Sequence, residues 1–331
     1  MIALHGILVL FASAILSSSA VAQTAPQNSP PPPAATPNRP APVSSLVMII
    51  PLDGVVGVSL DNDKWFTATD FQKAVQSAEK AKAEVVILEI KSPGGRVDVE
   101  EEIIRTILDS AGRGMHFVAF VKDAGSAAAL ITLSCKEIFV TPSARVGAAV
   151  TIVTGGAGGT SSLKRLMQGD EELAAKFESF HGAIHKAAAE STGRSPAIAA
   201  AMRDMSCELW WSKDGGFSNH QRTPSDERID GAKEVLTLTA GTMERTGLAI
   251  TVNSINDVVK LLGLRHSARI QRLDSEMQST SKKLDQYIKQ LVDKDNKIEN
   301  ATKGGDLYQV DVLKRASNKI LNEAKALIDK P

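Results

Sequence analysis

Two apolar runs, each leading into a string of small residues, limit what this chain can fold into. Val85-Val86-Ile87-Leu88-Glu89-Ile90 runs into Ser92-Pro93-Gly94-Gly95. Phe117-Val118-Ala119-Phe120-Val121 runs into Asp123-Ala124-Gly125-Ser126-Ala127-Ala128-Ala129-Leu130. Runs of this kind, separated by a helical pattern, read as parallel strands buried on both faces. The pattern between them puts Ile103, Ile104, Ile107 and Leu108 at helical spacing, from a start near Val97. Upstream, Leu46-Val47-Met48-Ile49-Ile50 reads as a strand ended by Pro51. Thr69 to Lys82 reads as a helix with Phe71, Val75 and Ala78 on one face. The order β-α-β-α-β predicts a parallel α/β sheet with right-handed crossovers. Short strands are also expected at Ile138-Phe139-Val140 and from Ala148 to Val153.

Open α/β sheets place their sites at the carboxyl ends of strands, where both small-residue segments fall. A Gly-Gly turn lets backbone N–H groups approach a ligand, because no Cβ intervenes. A serine opening a helix sits among unpaired N–H groups. A nucleophile beside amide donors is what acyl transfer requires.

These segments carry a family resemblance. SPGG, then the Ser126-bearing helix about 30 residues later, then Pro142 followed by Gly147-Ala148, resembles the ClpP/crotonase superfamily. The nearest types are its exported serine peptidases: signal peptide peptidase A and the NfeD-type membrane-associated ClpP-class proteases. The resemblance spans roughly residues 45–264 and implies a parallel β-α-β superhelix. It implies Ser126 as nucleophile, with the N–H groups of Gly95 and Ala127 as oxyanion donors. Gly125 and Ala128 stand where these peptidases commonly carry Ala and Gly.

A ClpP-like Ser-His-Asp set would need a histidine soon after Pro142, and residues 142–154 contain none. The exported relatives use a lysine instead, so the resemblance implies a Ser/Lys dyad. Lys164 lies 38 residues after Ser126, and counting favours it. Local pattern favours Lys176, which precedes an Ala-rich helix and Gly193-Arg194-Ser195 by the family's run. A lysine acting as base must be neutral, and burial lowers the pKa of a lysine from about 10.4. Phe177, Phe180 and nearby alanines are expected to bury Lys176, while Lys164 sits beside Arg165 and a polar loop. His181 and His185, spaced i,i+4, lack the HExxH pattern of a zinc site. No metal or cofactor is implied.

The remainder frames this domain. Residues 1–22 read as a secretory signal with a small-x-small site at Ala20-Val21-Ala22, giving a periplasmic or extracytoplasmic chain, free or at a membrane. Residues 23–43 hold eight of the 14 prolines and read as an extended linker. The folded domain is expected over 44–264. Gly155-Gly156-Ala157-Gly158-Gly159 reads as a surface loop or a lid. From 265 to 331 a 3-4 rhythm through Ile270, Leu273, Met277, Leu284 and Leu291 predicts a separable helical, coiled-coil-like tail. It is either a hairpin or an oligomerising coil, broken at Gly304-Gly305. Lys+Arg and Asp+Glu both number 38, so nucleic acid has no electrostatic case as a general partner. Cys135 and Cys207 are two thiols with no pairing fixed by sequence. The expected function is an exported serine endopeptidase, assembled from several copies, acting on extended peptide segments such as membrane-protein tails or signal peptides. The alternative is a catalytically inactive scaffold of the same fold acting through its tail.

Overall fold

Residue alternation along the central strands decides how the sheet is covered. The computed structural model describes residues 45–59, 64–154, 160–162, 171–264 and 268–328. In β1 (Leu46–Asp53), Met48, Ile50 and Leu52 face one side of the sheet, and Val47 and Ile49 face the other. Both sets are buried, so the run is continuously apolar rather than alternating.

The chain continues through β2 (Val55–Val56), β3 (Trp65–Phe66), α1 (Ala68–Lys80), β4 (Val85–Ser92) and α2 (Val97–Gly112). Then come β5 (Phe117–Gly125), α3 (Ala127–Leu133), β6 (Glu137–Val140), β7 (Arg145–Gly147), β8 (Ile152–Thr154) and β9 (Thr160–Ser162). Helices α4 (Glu171–Thr192) and α5 (Ala197–Arg203) precede β10 (Leu209–Ser212), β11 (Gly216–Ser218) and β12 (Glu227–Asp230), which form a small antiparallel sheet. The domain ends with β13 (Thr237–Thr239), α6 (Ala240–Arg245), β14 (Ile250–Thr251), α7 (Ile255–Leu261), β15 (Arg269–Arg272) and α8 (Asp274–Met277). Last are α9 (Ser279–Lys303) and α10 (Leu307–Ile328).

Among the described residues the main sheet has eight strands, in the order β13-β7-β5-β4-β1-β15, with β6 on β5 and β14 on β6. All pairs are parallel except β13 with β7. The larger core puts Phe71 and Ala74 of α1, Ile103, Ile104 and Ile107 of α2, and Leu130 of α3 against one face. The smaller core puts Val258 of α7 with Val47, Ile87, Val118 and Phe139 on the other. This is the α/β parallel architecture that the two apolar runs imply.

Several expectations need correction. Pro51 does not end β1, which runs on to Asp53. The backbone of Pro51 faces the β15 side, where pairing stops at Ile49 and the Leu273 N–H makes the last bond, so its missing N–H is tolerated there. The strand expected from Ala148 to Val153 forms only at its end: β7 stops at Gly147, residues 148–151 are not strand, and Ile152 and Val153 belong to β8, which pairs with β9. Residues 155–159, Lys164, the signal and the linker lie outside the described residues.

The domain does not stop at Leu264. Ile270 belongs to β15, which pairs with β1 as an edge strand. Leu273 and Met277 are 1% and 3% exposed in the larger core, so they are not seam positions of a coil. Asp70 fixes the junction. This side chain, itself fully buried, accepts from Thr67 Oγ1 (2.9 Å), Ser279 Oγ (2.7 Å), Thr280 N (3.1 Å) and Thr280 Oγ1 (2.7 Å). Beyond it α9 and α10 pack on each other as a hairpin, and Leu284 and Ala324 meet Trp65. Among the described residues no helix is long and apolar enough to cross a membrane.

Candidate active site

Ser126 sits where β5 becomes α3, in a conformation that side-chain-bearing residues rarely adopt. Its φ is +50° and its ψ is −126°. Such a residue carries strain on the order of 1–3 kcal/mol and persists only when its surroundings over-determine it. Here they do. The first half of β5 pairs with β6, and the last two residues pair with β7 instead. The Ser126 N–H donates to the Gly147 carbonyl at 2.8 Å. Gly147 is itself pinned, since a Cβ there would lie 2.2 Å from the Leu236 carbonyl oxygen. The Ala148 N–H donates to that same carbonyl at 2.8 Å. The Ser126 side chain makes no helix-capping bond, so its hydroxyl is not committed to that structural role.

The SPGG turn lies directly against this serine. A Cβ on Gly94, at φ +99°, would come within 2.5 Å of the Ser126 Cβ and 3.0 Å of the Ala127 N. Gly94 N–H is held by Ser92 Oγ at 3.1 Å. The parallel bridge from Val56 uses the Gly94 carbonyl (2.9 Å) and the Arg96 N–H (2.8 Å), so it leaves the Gly95 N–H unused. Ala127 is the first residue of α3, whose opening N–H groups have no partner within the helix. Ser126, Gly95 and Ala127 therefore come together, and all three line one small cavity of about 40 Å³.

Lys176 does not join them. It is exposed on α4 and is not among the cavity-lining residues. The expected dry setting is missing, because Phe180 is 71% exposed and Phe177 is turned against His181, with ring centroids 3.9 Å apart. The face of α4 that meets the domain belongs instead to His181, His185, Ala188 and Ala189.

Both histidines line the Ser126 cavity, together with Glu100 and Arg203. His185 Nε2 bonds Glu100 Oε1 at 2.6 Å, and the two residues are 5% and 1% exposed. His181 Nδ1 bonds Glu101, which also accepts from Arg105 at 3.0 Å. Burial pushes the Glu100 carboxyl above the ordinary carboxylate range, against the pull of His185 and Arg203. Read as a zinc pair the histidines carry no signal. The signal was their i,i+4 spacing set against adjacent Glu100-Glu101 on a neighbouring helix. Each imidazole takes its own carboxylate, and among the described residues no group of three metal-type side chains converges.

Arg194 of the Gly-Arg-Ser segment is structural. Its guanidinium donates to the carbonyls of Leu133, Cys135 and Lys136, closing the C-terminal end of the helix that Ser126 begins. Cys135 and Cys207 are not joined in a disulfide. Burial pushes the Cys135 thiol up to about 12, which keeps it protonated and unreactive. Trp211 is half-buried under Arg245, 5.9 Å from the ring centroid.

Residues 46–273 match the family described as NfeD1b, N-terminal domain. Two solved structures of 1510-N, a membrane-bound stomatin-specific protease, are also similar. One, a serine-to-alanine mutant, is 18% identical over 69% of this chain and 96% of that chain, with a TM-score of 0.46. The other, a lysine-to-alanine mutant in complex with a substrate peptide, is 20% identical over 66% and 80%, with a TM-score of 0.45. At these scores the likeness carries no argument about chemistry. No curated protein matches the chain.

Proposed function

The chain belongs to the NfeD1b N-terminal domain family over residues 46–273, and from that premise we propose that it is a serine endopeptidase. The observation that carries the reading is the strained Ser126, set beside the unused Gly95 N–H and the first N–H of α3. In this reading Ser126 Oγ attacks the scissile carbonyl. The N–H groups of Gly95 and Ala127 receive the oxyanion, where loss of one donor costs ~3 kcal/mol of transition-state stabilisation. Lys176 is the base carried over from the family resemblance. Since it is exposed, it takes that role only when bound substrate or a second copy of the chain covers α4 and excludes water.

The substrate in this reading is an extended segment held by strand addition, such as a membrane-protein tail or a released signal peptide. The chain acts outside the cytoplasm, free or at a membrane, as an assembly of several copies, and uses no metal or cofactor. A fluorophosphonate probe is expected to label Ser126, and Ser126→Ala to abolish peptide cleavage while the fold persists. Lys176→Ala is expected to lose activity. Loss only in Lys164→Ala moves the base to that residue, and normal activity in both removes the dyad. An unlabelled, folded protein favours the inactive scaffold.

A further inference from the structure

The serine–lysine reading leaves one part of the cavity unused. His185 is nine-tenths buried, lines the same cavity as Ser126, and has one ring nitrogen committed to Glu100. Its other nitrogen, Nδ1, is buried with no hydrogen-bond partner among the described residues. A buried polar atom left unpaired costs ~1–3 kcal/mol. A group on bound substrate would supply the missing partner. The ring is fixed from behind, as an acid–base histidine requires, because Glu100 on α2 holds Nε2 and leaves Nδ1 as the exchangeable position.

We propose that His185, oriented by Glu100, is the proton carrier for the leaving amine and the hydrolytic water. The proposal rests on Ser126 being the nucleophile. At the start the pair holds two protons, one shared between Glu100 and Nε2 and one on Nδ1. In acylation the Oγ–C bond forms and the Ser126 proton passes to the lysine. The C–N bond then breaks, and the departing nitrogen takes the Nδ1 proton. The pair keeps a single proton on Nε2, facing the carboxylate. In deacylation the water oxygen bonds the acyl carbon and its proton returns to Nδ1. The C–Oγ bond breaks, and Ser126 recovers its proton from the lysine. Protons balance, and nothing is oxidised or reduced.

The neighbourhood suits a pair that keeps its proton. Burial raises the Glu100 carboxyl, and Glu101 beside it on α2 acts in the same direction. Arg203 from α5 acts the other way. His181 on α4 has its own partner in Glu101, and α3 contributes only Ala127 and Leu130 to the lining besides Ser126. Glu100 touches no substrate in this scheme and is a positioning residue.

The test compares two substrates with the same acyl segment: a peptide amide, whose nitrogen must be protonated to leave, and a nitrophenyl ester, whose phenolate leaves without a proton. In His185→Gln, kcat/KM for the amide is expected to fall about 100-fold or more. The burst in which the ester acylates Ser126 should change less than about threefold, followed by slower steady-state turnover. Glu100→Gln, close in shape, should show the same selective loss at smaller size, and serves if His185→Gln does not fold. An equal fall for amide and ester burst, or no fall in either, overturns the role of His185. A missing ester burst in the unaltered protein, or a burst that survives Ser126→Ala, overturns the nucleophile reading, and the proposal for His185 with it.

Discussion

Leu273→Ala tests whether the chain beyond Leu264 belongs to the domain. Leu273 is 1% exposed and lies in the larger core; its N–H donates to the Ile49 carbonyl at 2.9 Å, tying it to β1. Truncating a buried leucine costs ~2–5 kcal/mol, the lost transfer energy plus a term for the cavity left behind. Leu273 follows an edge strand whose own side chains are all exposed, so the site can partly collapse, and ~3 kcal/mol is the value to expect. In urea, with a slope of ~1–3 kcal/mol/M, that moves the midpoint down by roughly 1 M or more. Tryptophan fluorescence is the assay, because Trp65 lies beside the hairpin and Trp210 and Trp211 lie in the small sheet. Single-tryptophan versions should lose stability together. Ile288→Ala, at a position 44% exposed on α9, is the control and should stay within about 0.5 kcal/mol. A midpoint shift under ~0.3 M for Leu273→Ala, or a Trp65 transition that moves alone, would refute the reasoning. It would restore a separable tail beginning at 265.

Other consequences are open to measurement. Ser126→Gly should abolish cleavage yet melt above Ser126→Ala, by an amount equivalent to ~1–2 kcal/mol, because glycine accepts φ +50° without strain; equal melting points would mean the perch stores no strain. Arg194→Met should destabilise by ~3 kcal/mol, since three carbonyls lose a charged donor, and a loss under 1 kcal/mol in urea titration would assign those carbonyls to water. Burial works to raise the Glu89 carboxyl, but hydrogen bonds from Lys122 and Arg272 outweigh it and hold the group below the ordinary value of 4.5. The stability this adds is present above pH 4.5 and lost as pH falls through the lower folded value, so Glu89→Gln should flatten the acid limb of a pH–stability curve. An unchanged limb would remove Glu89 from the acid response.

The strands that carry the site were legible because their composition and their position agree. Apart from Glu89, Val85–Ile90 and Phe117–Val121 are buried on both faces, and such strands announce themselves by nearly continuous apolar runs. The small-residue turns after them mark where the backbone must pass closely, and the contact of Gly94 with Ser126 is that requirement met. Edge strand β15 was not legible. Arg269-Ile270-Gln271-Arg272 has one apolar residue and no buried side chain, so only its backbone pairing with β1 makes it a strand. The histidine wall was missed for a related reason. The partners of His181 and His185 lie 80 and 85 residues away on another helix, beyond any local pattern. Lys176 was misjudged on its surroundings: adjacent Phe177 points elsewhere, and Phe180, at i+4 on the same face, is itself exposed, so that face of α4 meets water.

The clamp beneath Ser126 also sets a clock. Its three parts, the end of β5, Gly147 and the Leu236 carbonyl, are widely separated, the last about 110 residues beyond the serine. A chain made at about 5–20 residues per second delivers Leu236 roughly 5–20 s after Ser126 has emerged. Pairing across such a separation is slow to form in any case. Until it forms, nothing holds the serine backbone in its strained shape. On the serine-peptidase reading, a chain built this way emerges inert and gains its nucleophile only when most of its own domain has been made.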